Sequence, residues 1–391
     1  MILDDLFLAD FKNYHNCSFS FSPKLNFIYG ENGNGKTNIL EAISMLCYTR
    51  SFLQNAEADC VKYGESAFEI TGSFRNRVGS KSTVKFLYHK EENVKQIICD
   101  NDKVTRSNDF IGRFPLVVLS PYDLKLTMGL QQDRRRNFDM LISQISRVYL
   151  NDLRKYTKII KQKNSLLKDN LITKRYSYKE LKDLVGVWNT ELLDLAVKLM
   201  IRRLDFIEEF KSYIAACFER IAGSRYTPVI TYQSEILEEA DISDYNIDSL
   251  KVKLEKVLDE KLDAEIKRGI SLTGPHRDNY LFYMNKSGEM YEMRTSASQG
   301  EHKTFVVALK LSEFGYINEN QKHTNTGEPV LLLDDVFSEL DKGRIERISE
   351  LITDFNQVFV TTTDKDHFGI LKNNFNDSKT FYIVNGTAEK C

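Results

Sequence analysis

The chain has six cysteines in 391 residues, at 17, 47, 60, 99, 217 and 391, and no two of them form a CxxC pair. That spacing argues against a zinc site and leaves a disulfide framework without support in a chain this long. The expected state is reduced, mostly buried thiols, with Cys391 exposed. No run of about 18 apolar residues occurs, so no membrane span is expected. The opening Met1-Ile2-Leu3-Asp4-Asp5 is acidic and has no basic stretch ahead of an apolar one, so a secretory leader is not expected and a cytoplasmic protein is. Internal repeats and low-complexity segments are also lacking. Net charge is almost lacking too, at -2. A chain so balanced can bind a polyanion only if its positive charge is gathered locally.

It is gathered. From Gln131 to Lys182 there are 14 Lys and Arg against 5 Asp and Glu, a local +9, so the rest of the chain carries -11. Much of that negative charge lies between Glu235 and Glu265. A hydrophobic share of 42% is enough for a globular core. The length exceeds what one core usually organises, so two or three domains are expected.

The periodicities predict an α/β protein. Leu6, Leu8 and Phe11 with Phe19 and Phe21 read as an edge hairpin, and Leu25 to Tyr29 as a short apolar strand. A helix follows from Lys36, with Ile39, Leu40, Ile43 and Leu46 on one face. Phe68/Ile70, Val84/Phe86 and Ile97/Ile98 predict an antiparallel sheet, and Leu116 to Leu119 another buried strand. From Gln131 to Asn170 there is no Gly or Pro, and a second helical pattern runs from Leu181 toward Ile221. Two helices of roughly 40 residues, each about 60 Å long, would pack antiparallel as an arm or a helical lobe. Strands return at Tyr226 to Tyr232, Asn279 to Tyr283 (paired with Met290 to Met293), Val330 to Leu333, Gln357 to Thr361 and Thr380 to Val384. The expected division is 1–130 and 266–391 as two halves of one head, with 131–265 inserted as the helical arm or lobe.

Three motifs carry chemistry. Gly30-Glu31-Asn32-Gly33-Asn34-Gly35-Lys36-Thr37 fits GxxxxGK followed by Ser or Thr, after an apolar strand and at the start of an amphipathic helix. Glycines let the backbone wrap so that its N–H groups meet phosphates, and the helix N-terminus adds its dipole. Lys36 then neutralises β/γ-phosphate charge, and Thr37 offers a hydroxyl to Mg²⁺. Val330-Leu331-Leu332-Leu333-Asp334-Asp335 is an apolar strand ending in two acids: Asp334 for Mg²⁺, Asp335 to polarise the attacking water. Ser296-Ala297-Ser298-Gln299-Gly300-Glu301, about 35 residues earlier, precedes an amphipathic helix. It resembles the ABC signature, in which a Ser and a Gly at a helix N-terminus hold the γ-phosphate of ATP bound to the opposite subunit. Ser338-Glu339-Leu340-Asp341 resembles the D-loop. Val358 to Thr363 resembles the last strand and its switch, with Thr362 or Thr363 where transporters carry histidine.

Nearly 300 residues separate Lys36 from Asp334, more than transporter ATPases need and fewer than the long coiled coils of chromosome-structural SMC proteins. The intermediate insert resembles the RecF family. So do Asp10-Phe11-Lys12-Asn13-Tyr14, the phosphate loop continued through Asn38 to Ile43, Thr49-Arg50-Ser51-Phe52, and Ser120-Pro121-Tyr122-Asp123-Leu124. Arg134-Arg135-Arg136-Asn137-Phe138-Asp139, Thr273-Gly274-Pro275-His276-Arg277-Asp278 and Ser298 to Glu301 complete the series, in family order.

The resemblance implies an ABC-type ATPase head that binds ATP, dimerises head to head around two ATP molecules and binds DNA. It implies slow hydrolysis coupled to dimer dissociation, and work with RecO and RecR proteins in loading RecA at single-strand gaps, supporting replication restart and the SOS response. Transporter-type and chromosome-structural ATPase subunits are the alternatives. A nuclease of the overcoming-lysogenisation type would need a further acidic domain, which the roughly 50 residues after the D-loop do not accommodate.

From the residues themselves, the DNA surface is expected on Arg134, Arg135, Arg136, Arg154, Lys155, Lys158, Lys161 and Lys163, neutralising phosphates without reading bases. Arg50 beyond the loop helix is a candidate contact to DNA or nucleotide. Arg277 and Asp278 are expected either to pair locally or to lie near the nucleotide or a dimer interface.

Overall fold

A computed structural model of the chain describes residues 1–106, 110–237 and 246–390. Its centre is a six-stranded sheet built from both ends of the chain. The order is β15 (Thr387–Lys390), β14 (Ser378–Val384), β3 (Leu25–Tyr29), β13 (Gln357–Thr362), β12 (Val330–Asp334) and β8 (Leu116–Leu119). All neighbours run parallel except β14 and β15. Residues 330–334 and 357–362 are buried throughout, as strands covered on both faces must be. The strand that feeds the phosphate loop thus lies between two strands from the last 40 residues.

A second six-stranded sheet is antiparallel, in the order β2 (Tyr14–Ser20), β1 (Ile2–Phe11), β4 (Ala67–Arg75), β5 (Lys81–His89), β6 (Val94–Cys99) and β7 (Asp102–Lys103). The first helix, α1 (Lys36–Tyr48), shares a core with its inner face through Ile39, Leu40, Ile43 and Leu46. A Cβ on Gly72 would lie 2.5 Å from Leu46 Cδ1, so the glycine sets how closely helix and sheet approach. A third sheet orders β11 (Glu289–Glu292), β10 (Asn279–Lys286) and β9 (Thr227–Gln233). The predicted pairing of 279–283 with 290–293 is shifted: Tyr283 to Lys286 meet Glu292 to Glu289, and on its other side β10 pairs with β9 from Asn279 to Asn285.

The helices depart from the expected pair of 40-residue rods. After the single turn α2 (Lys125–Met128), the first rod is two helices, α3 (Gln131–Ile145) and α4 (Arg147–Thr173). Ser146 separates them. Its backbone is extended and its Oγ accepts from Tyr149 N, so it caps the second helix instead of continuing the first. The second rod is one helix, α5 (Tyr178–Ala222), opened by a Ser177/Glu180 capping box and stopped at Gly223. α6 (Ile247–Arg268) packs against α4 and α5. Four helices complete the chain: α7 (Met293–Ser296), α8 (Gln299–Gln321), α9 (Lys342–Ile352) and α10 (His367–Lys372).

The helices form a lobe packed on the head. One apolar core runs from Phe27, Val117 and Val358 of the parallel sheet through Phe138 of α3 to Phe206, Phe210 and Ile221 of α5, and includes Phe305 and Phe314 of α8. Only the far end has its own small core, Leu167, Leu181, Val185 and Leu262. No helix among the described residues is long and apolar enough to cross a membrane. Cys47, Cys60 and Cys99 are buried thiols, Cys17 and Cys217 half-buried, and Cys391 lies outside the described residues.

Lys163, expected as a phosphate ligand, is instead fully buried. Its Nζ lies 2.7 Å from the equally buried Glu265 carboxylate of α6 and donates to Asn189 Oδ1 of α5 at 2.7 Å. Burial lowers its pKa, and Glu265 opposes the shift. Breaking such a pair leaves an uncompensated interior charge, at a cost of about 3–5 kcal/mol. Lys163→Met should therefore lower the stability of the lobe by about that amount in a urea titration, and Lys163→Met with Glu265→Leu should recover most of the loss.

Candidate nucleotide site

The phosphate loop joins β3 to α1 and is braced from two sides. Gly30 and Gly35 have φ of 153° and 103°. A Cβ on Gly30 would stand 2.4 Å from the Ile383 carbonyl oxygen, and one on Gly35 2.5 Å from the Asn13 amide, so neither position accepts a side chain. Asn13, in the turn between β1 and β2, donates through Nδ2 to Asn34 O at 2.8 Å and accepts from Asn38 Nδ2 at 2.8 Å. Tyr14 donates its hydroxyl to Gly35 O at 3.0 Å. On the other side Asn34 Nδ2 donates to Ile383 O at 3.1 Å. The rim, Glu31, Asn32 and Gly33, is exposed. Lys36 curls under the loop and donates to Gly30 O and Glu31 O at 2.8 and 2.9 Å. Burial lowers its pKa, while Asp335 and Asp334 favour its charged form.

The acids stand where β12 ends. Thr37 Oγ1 donates to Asp334 Oδ1 at 2.8 Å, and Thr361 Oγ1 donates to the same oxygen at 2.7 Å. Asp334 is 4% exposed. Burial raises its pKa; the Thr361 and Thr37 hydroxyls and Lys36 pull it down, and the Asp335 charge pushes it up. Asp335 has φ of 47°, a left-handed conformation uncommon for a non-glycine residue and frequent at functional positions. Its N–H is held by the carbonyl and hydroxyl oxygens of Thr361, each at 3.1 Å. Thr37 hydroxyl and Asp334 carboxylate in contact form a pair of hard oxygen ligands suited to Mg²⁺.

The threonines at the end of β13 differ in their surroundings. Thr361 touches both acids. Thr362 is buried, with Oγ1 accepting from Asp364 N at 3.1 Å and lying 3.3 Å from His367 Nδ1, and Thr363 is exposed. A histidine is therefore present beside this strand, supplied by α10. Ser338 donates its hydroxyl to Asp335 O at 3.0 Å, and Asp341 caps α9 by accepting from Arg344 N.

Ser298 is the N-cap of α8 and is exposed. It forms a reciprocal capping box with Glu301: Ser298 N–H and hydroxyl both donate to Glu301 Oε2 at 2.8 Å. Burial raises the Glu301 pKa, the hydrogen bonds from Ser298 and Tyr291 and the nearby His302 lower it, and the net shift is downward. Tyr291 also contacts Glu301, and Thr304 Oγ1 donates to Gly300 O. The Cβ position of Gly300 has only an arginine tip, Arg344 Nη1, within 4 Å, at 3.6 Å. Lys36, Thr37, Asp334 and Asp335 thus come together, while Ser298, Gly300 and Glu301 present a helix N-terminus outward.

The basic residues divide. Arg134 is 1% exposed and is spent on three carbonyls: Leu126 O at 2.6 Å, Tyr280 O at 2.8 Å and Thr127 O at 3.0 Å. Its guanidinium also lies 4.8 Å over the Phe282 ring. It ties α3 to β10, and the expectation that it meets phosphate fails for that reason. Arg135 is half-buried and Arg136 exposed, and Arg154, Lys155, Lys158 and Lys161 are exposed along α4. Arg277 and Asp278 do not pair with each other. Arg277 donates to Ser271 O. Asp278 is buried and accepts from the Tyr232 hydroxyl, and burial pushes its pKa up to about 6. Asn13, Tyr14, Thr361 and His367 were not anticipated at the site; each arrives through tertiary contact.

The RecF/RecN/SMC N terminal domain family matches residues 2–380. The chain is 36% identical over 375 residues to the DNA replication and repair protein RecF of Chloroherpeton thalassium, covering 95% of this chain and 97% of that protein. It is 33% identical over 391 residues to the protein of the same name from Listeria welshimeri, covering 100% of both. Among solved structures it is similar to the recombination mediator protein RecF-ATP in the RecFOR pathway, with TM-score 0.86 at 29% identity, covering 100% of this chain and 97% of that one. The SmcHead bound to the C-winged helix domain of ScpA shares the fold, with TM-score 0.57 at 14% identity, covering 100% and 97%.

Asn13→Ala removes two hydrogen bonds that brace the loop from β1–β2. Amide exchange of residues 34–38 should quicken by about tenfold, while the global melting midpoint stays close to that of the parent. Unchanged exchange at those amides would mean that the brace does not hold the loop.

Proposed function

The chain belongs to the RecF family, and on that footing we propose that it is an ATP-operated DNA clamp of replication and repair. The observation that carries this reading is the division of the nucleotide site. Lys36, Thr37, Asp334 and Asp335 are assembled in one copy, and the signature turn faces outward with its helix N-terminus open. Such a site is completed by a second copy.

In this reading Gly30, Glu31, Asn32, Gly33, Asn34, Gly35 and Asn38 cradle the phosphates with Lys36, which leaves the Gly30 and Glu31 carbonyls to meet the β- and γ-phosphates. Thr37 and Asp334 hold Mg²⁺, which supplies neutralisation of phosphate oxygen charge. Asp335, its backbone fixed by Thr361, polarises the attacking water. Attack at the γ-phosphorus breaks its bond to the bridging oxygen and yields ADP and phosphate. Ser298, Gly300 and Glu301 of the other copy serve the same γ-phosphate from a helix N-terminus. ATP then joins the two heads, and its slow, DNA-stimulated hydrolysis removes the group that both copies hold, so the dimer opens. The head is formed by 1–130 with 266–391, and the 131–265 lobe carries the DNA surface through Arg135, Arg136, Arg154, Lys155, Lys158 and Lys161. RecO- and RecR-type mediators are the proposed protein partners, acting with it to load RecA at single-strand gaps in the cytoplasm.

Sedimentation with and without ATP and a gapped duplex tests the clamp. The protein should dimerise with ATP and associate with DNA; a chain that stays monomeric and ignores DNA under all conditions sinks the reading. Lys36→Met should weaken ATP binding by about tenfold or more, the worth of a charge-assisted contact of roughly 1.5–3 kcal/mol. Ser298→Arg should bind ATP normally yet fail to dimerise, and normal dimerisation of that variant would remove the signature assignment.

A further inference from the structure

A cleft of about 370 Å³ opens between α3, one face of α4 and the turn after α6, with Arg135, Arg136, Arg277, His276, Tyr156 and Asn164 among its walls. Arg203 and Asp139 also reach it, and they cancel: the guanidinium holds the carboxylate at 2.8 and 3.1 Å. The other three arginines are held only by neutral oxygens. Arg135 donates to Asp278 O at 2.6 Å, Arg277 to Ser271 O at 2.7 and 3.1 Å, and Arg136 to Gln54 Oε1 at 3.3 Å. Among the described residues none of the three forms an ion pair, whereas Arg75, Arg113, Arg202 and Arg344 each have a carboxylate. A neutral oxygen fixes a guanidinium without cancelling its charge, so three like charges are held in one concavity. His276 adds no charge. Burial, with Arg277, Lys163 and Arg135 nearby and only Ser271 O opposing, lowers its pKa to about 3, and its Nδ1 is 2.7 Å from the Tyr156 hydroxyl. Gly274, with φ of 116°, lets the turn sit against Tyr156; a Cβ there would meet the tyrosine oxygen at 2.5 Å.

A second cleft of about 390 Å³ shares Arg136 and adds Arg50, just beyond α1. Its acids are already engaged: Glu313 and Asp123 with Lys310, Glu57 with Lys95, and Asp133 with the backbone N–H of Leu130. Arg50 and Arg136 carry like charge close enough for Arg136 to lower the Arg50 pKa, and Arg50 also forms no ion pair among the described residues.

We propose that the two clefts form one phosphate track, Arg277, Arg135, Arg136 and Arg50, that seats successive phosphates of a DNA backbone. The inference rests on the DNA-binding reading above and adds Arg277 and Arg50, which lie outside the α4 ridge. Planar guanidinium forks suit phosphate oxygens, and Arg277, Arg135 and Arg136 are each pinned to a neutral acceptor. Of the rings in the wall of the first cleft, Tyr156 is buried and His276 is held by Tyr156 and Ser271 O. The track positions the backbone without reading sequence.

The test is fluorescence anisotropy of a labelled duplex oligonucleotide with the full chain and ATP, across a salt series. Arg136→Gln and Arg277→Gln should each lower affinity about three- to tenfold and reduce the slope of log K against log salt by about one, and the double variant by about two. Arg277→Lys should keep the slope, and Lys90→Gln, in the turn between β5 and β6, should leave both quantities unchanged. Variants that melt like the parent and bind DNA with its slope overturn the track while leaving the clamp reading intact; so do variants that lose only an acidic protein ligand. A parent protein that fails to bind DNA even at low salt removes the reading on which the track rests.

Discussion

One carboxylate oxygen, Asp334 Oδ1, receives hydroxyl hydrogen bonds from Thr37 and Thr361, residues 297 and 27 positions away. That contact exists only if β3, β12 and β13 lie side by side in one parallel sheet, with Asp334 in register with Thr361. The chain must therefore complete its last strands before the loop of Lys36 has its acid. The same contact sets the electrostatics. Burial alone would protonate Asp334 more readily; two hydroxyl donors and the Lys36 ammonium favour the ion, and Asp335 next door disfavours it. The carboxylate is thus held between opposing influences, in a position where an added cation strongly favours its charged form.

The lobe is tied together, and to the three-stranded sheet, through arginines turned inward. Arg134 bridges α2, α3 and β10 through three carbonyls, and buried Arg203 of α5 joins Asp139 of α3, Tyr149 of α4 and the carbonyl of Pro275. A guanidinium has five donors in a rigid fork, so one side chain can satisfy several unpaired carbonyls where elements cross at an angle. Lysine could not replace it there. These crossings fix the floor beneath the 273–278 turn, and hence the cleft that the exposed arginines line.

Much of the site was legible because its signals are local. The glycine spacing, the apolar strand ending in Asp334-Asp335 and the serine before a helix each describe a few consecutive residues and are found in those elements, although the helix after Ser298 is buried on every side from Thr304 to Phe314 and is not amphipathic as expected. Charge alone was a poorer guide. Arg134 stands four and seven residues before Phe138 and Leu141, and Lys163 lies seven after Tyr156 and four before Leu167, so both share the apolar face of their helices. Periodicity pointed them inward even though composition counted them as surface cations. Ser146 was hidden for a different reason: a serine within a helical pattern is tolerated, and only the crossing of α3 and α4 over the head selects its capping conformation. Asn13 and Thr361 act through strand pairing and loop closure, which no local window contains.

α1 links the two ends of the functional surface. It begins at Lys36, runs 13 residues or about 20 Å, and Arg50 follows two residues after its end. At its middle Glu41 is wholly buried; its carboxylate accepts from Ser51 Oγ at 2.5 Å and Asn55 Nδ2 at 2.8 Å, and meets Lys12 at 3.5 Å. Tyr48 donates to Leu116 O at 2.5 Å, fastening the helix to the edge strand of the parallel sheet. The 50–56 segment is therefore tied to the same helix whose first turn carries the phosphate loop, by a carboxylate with no access to water. A rigid helix with a buried anchor moves as one piece or not at all. In the proposed reading this helix is the shortest covalent path from the phosphate loop to the arginine track, and a shift of Lys36 and Thr37 would reach Arg50 through it.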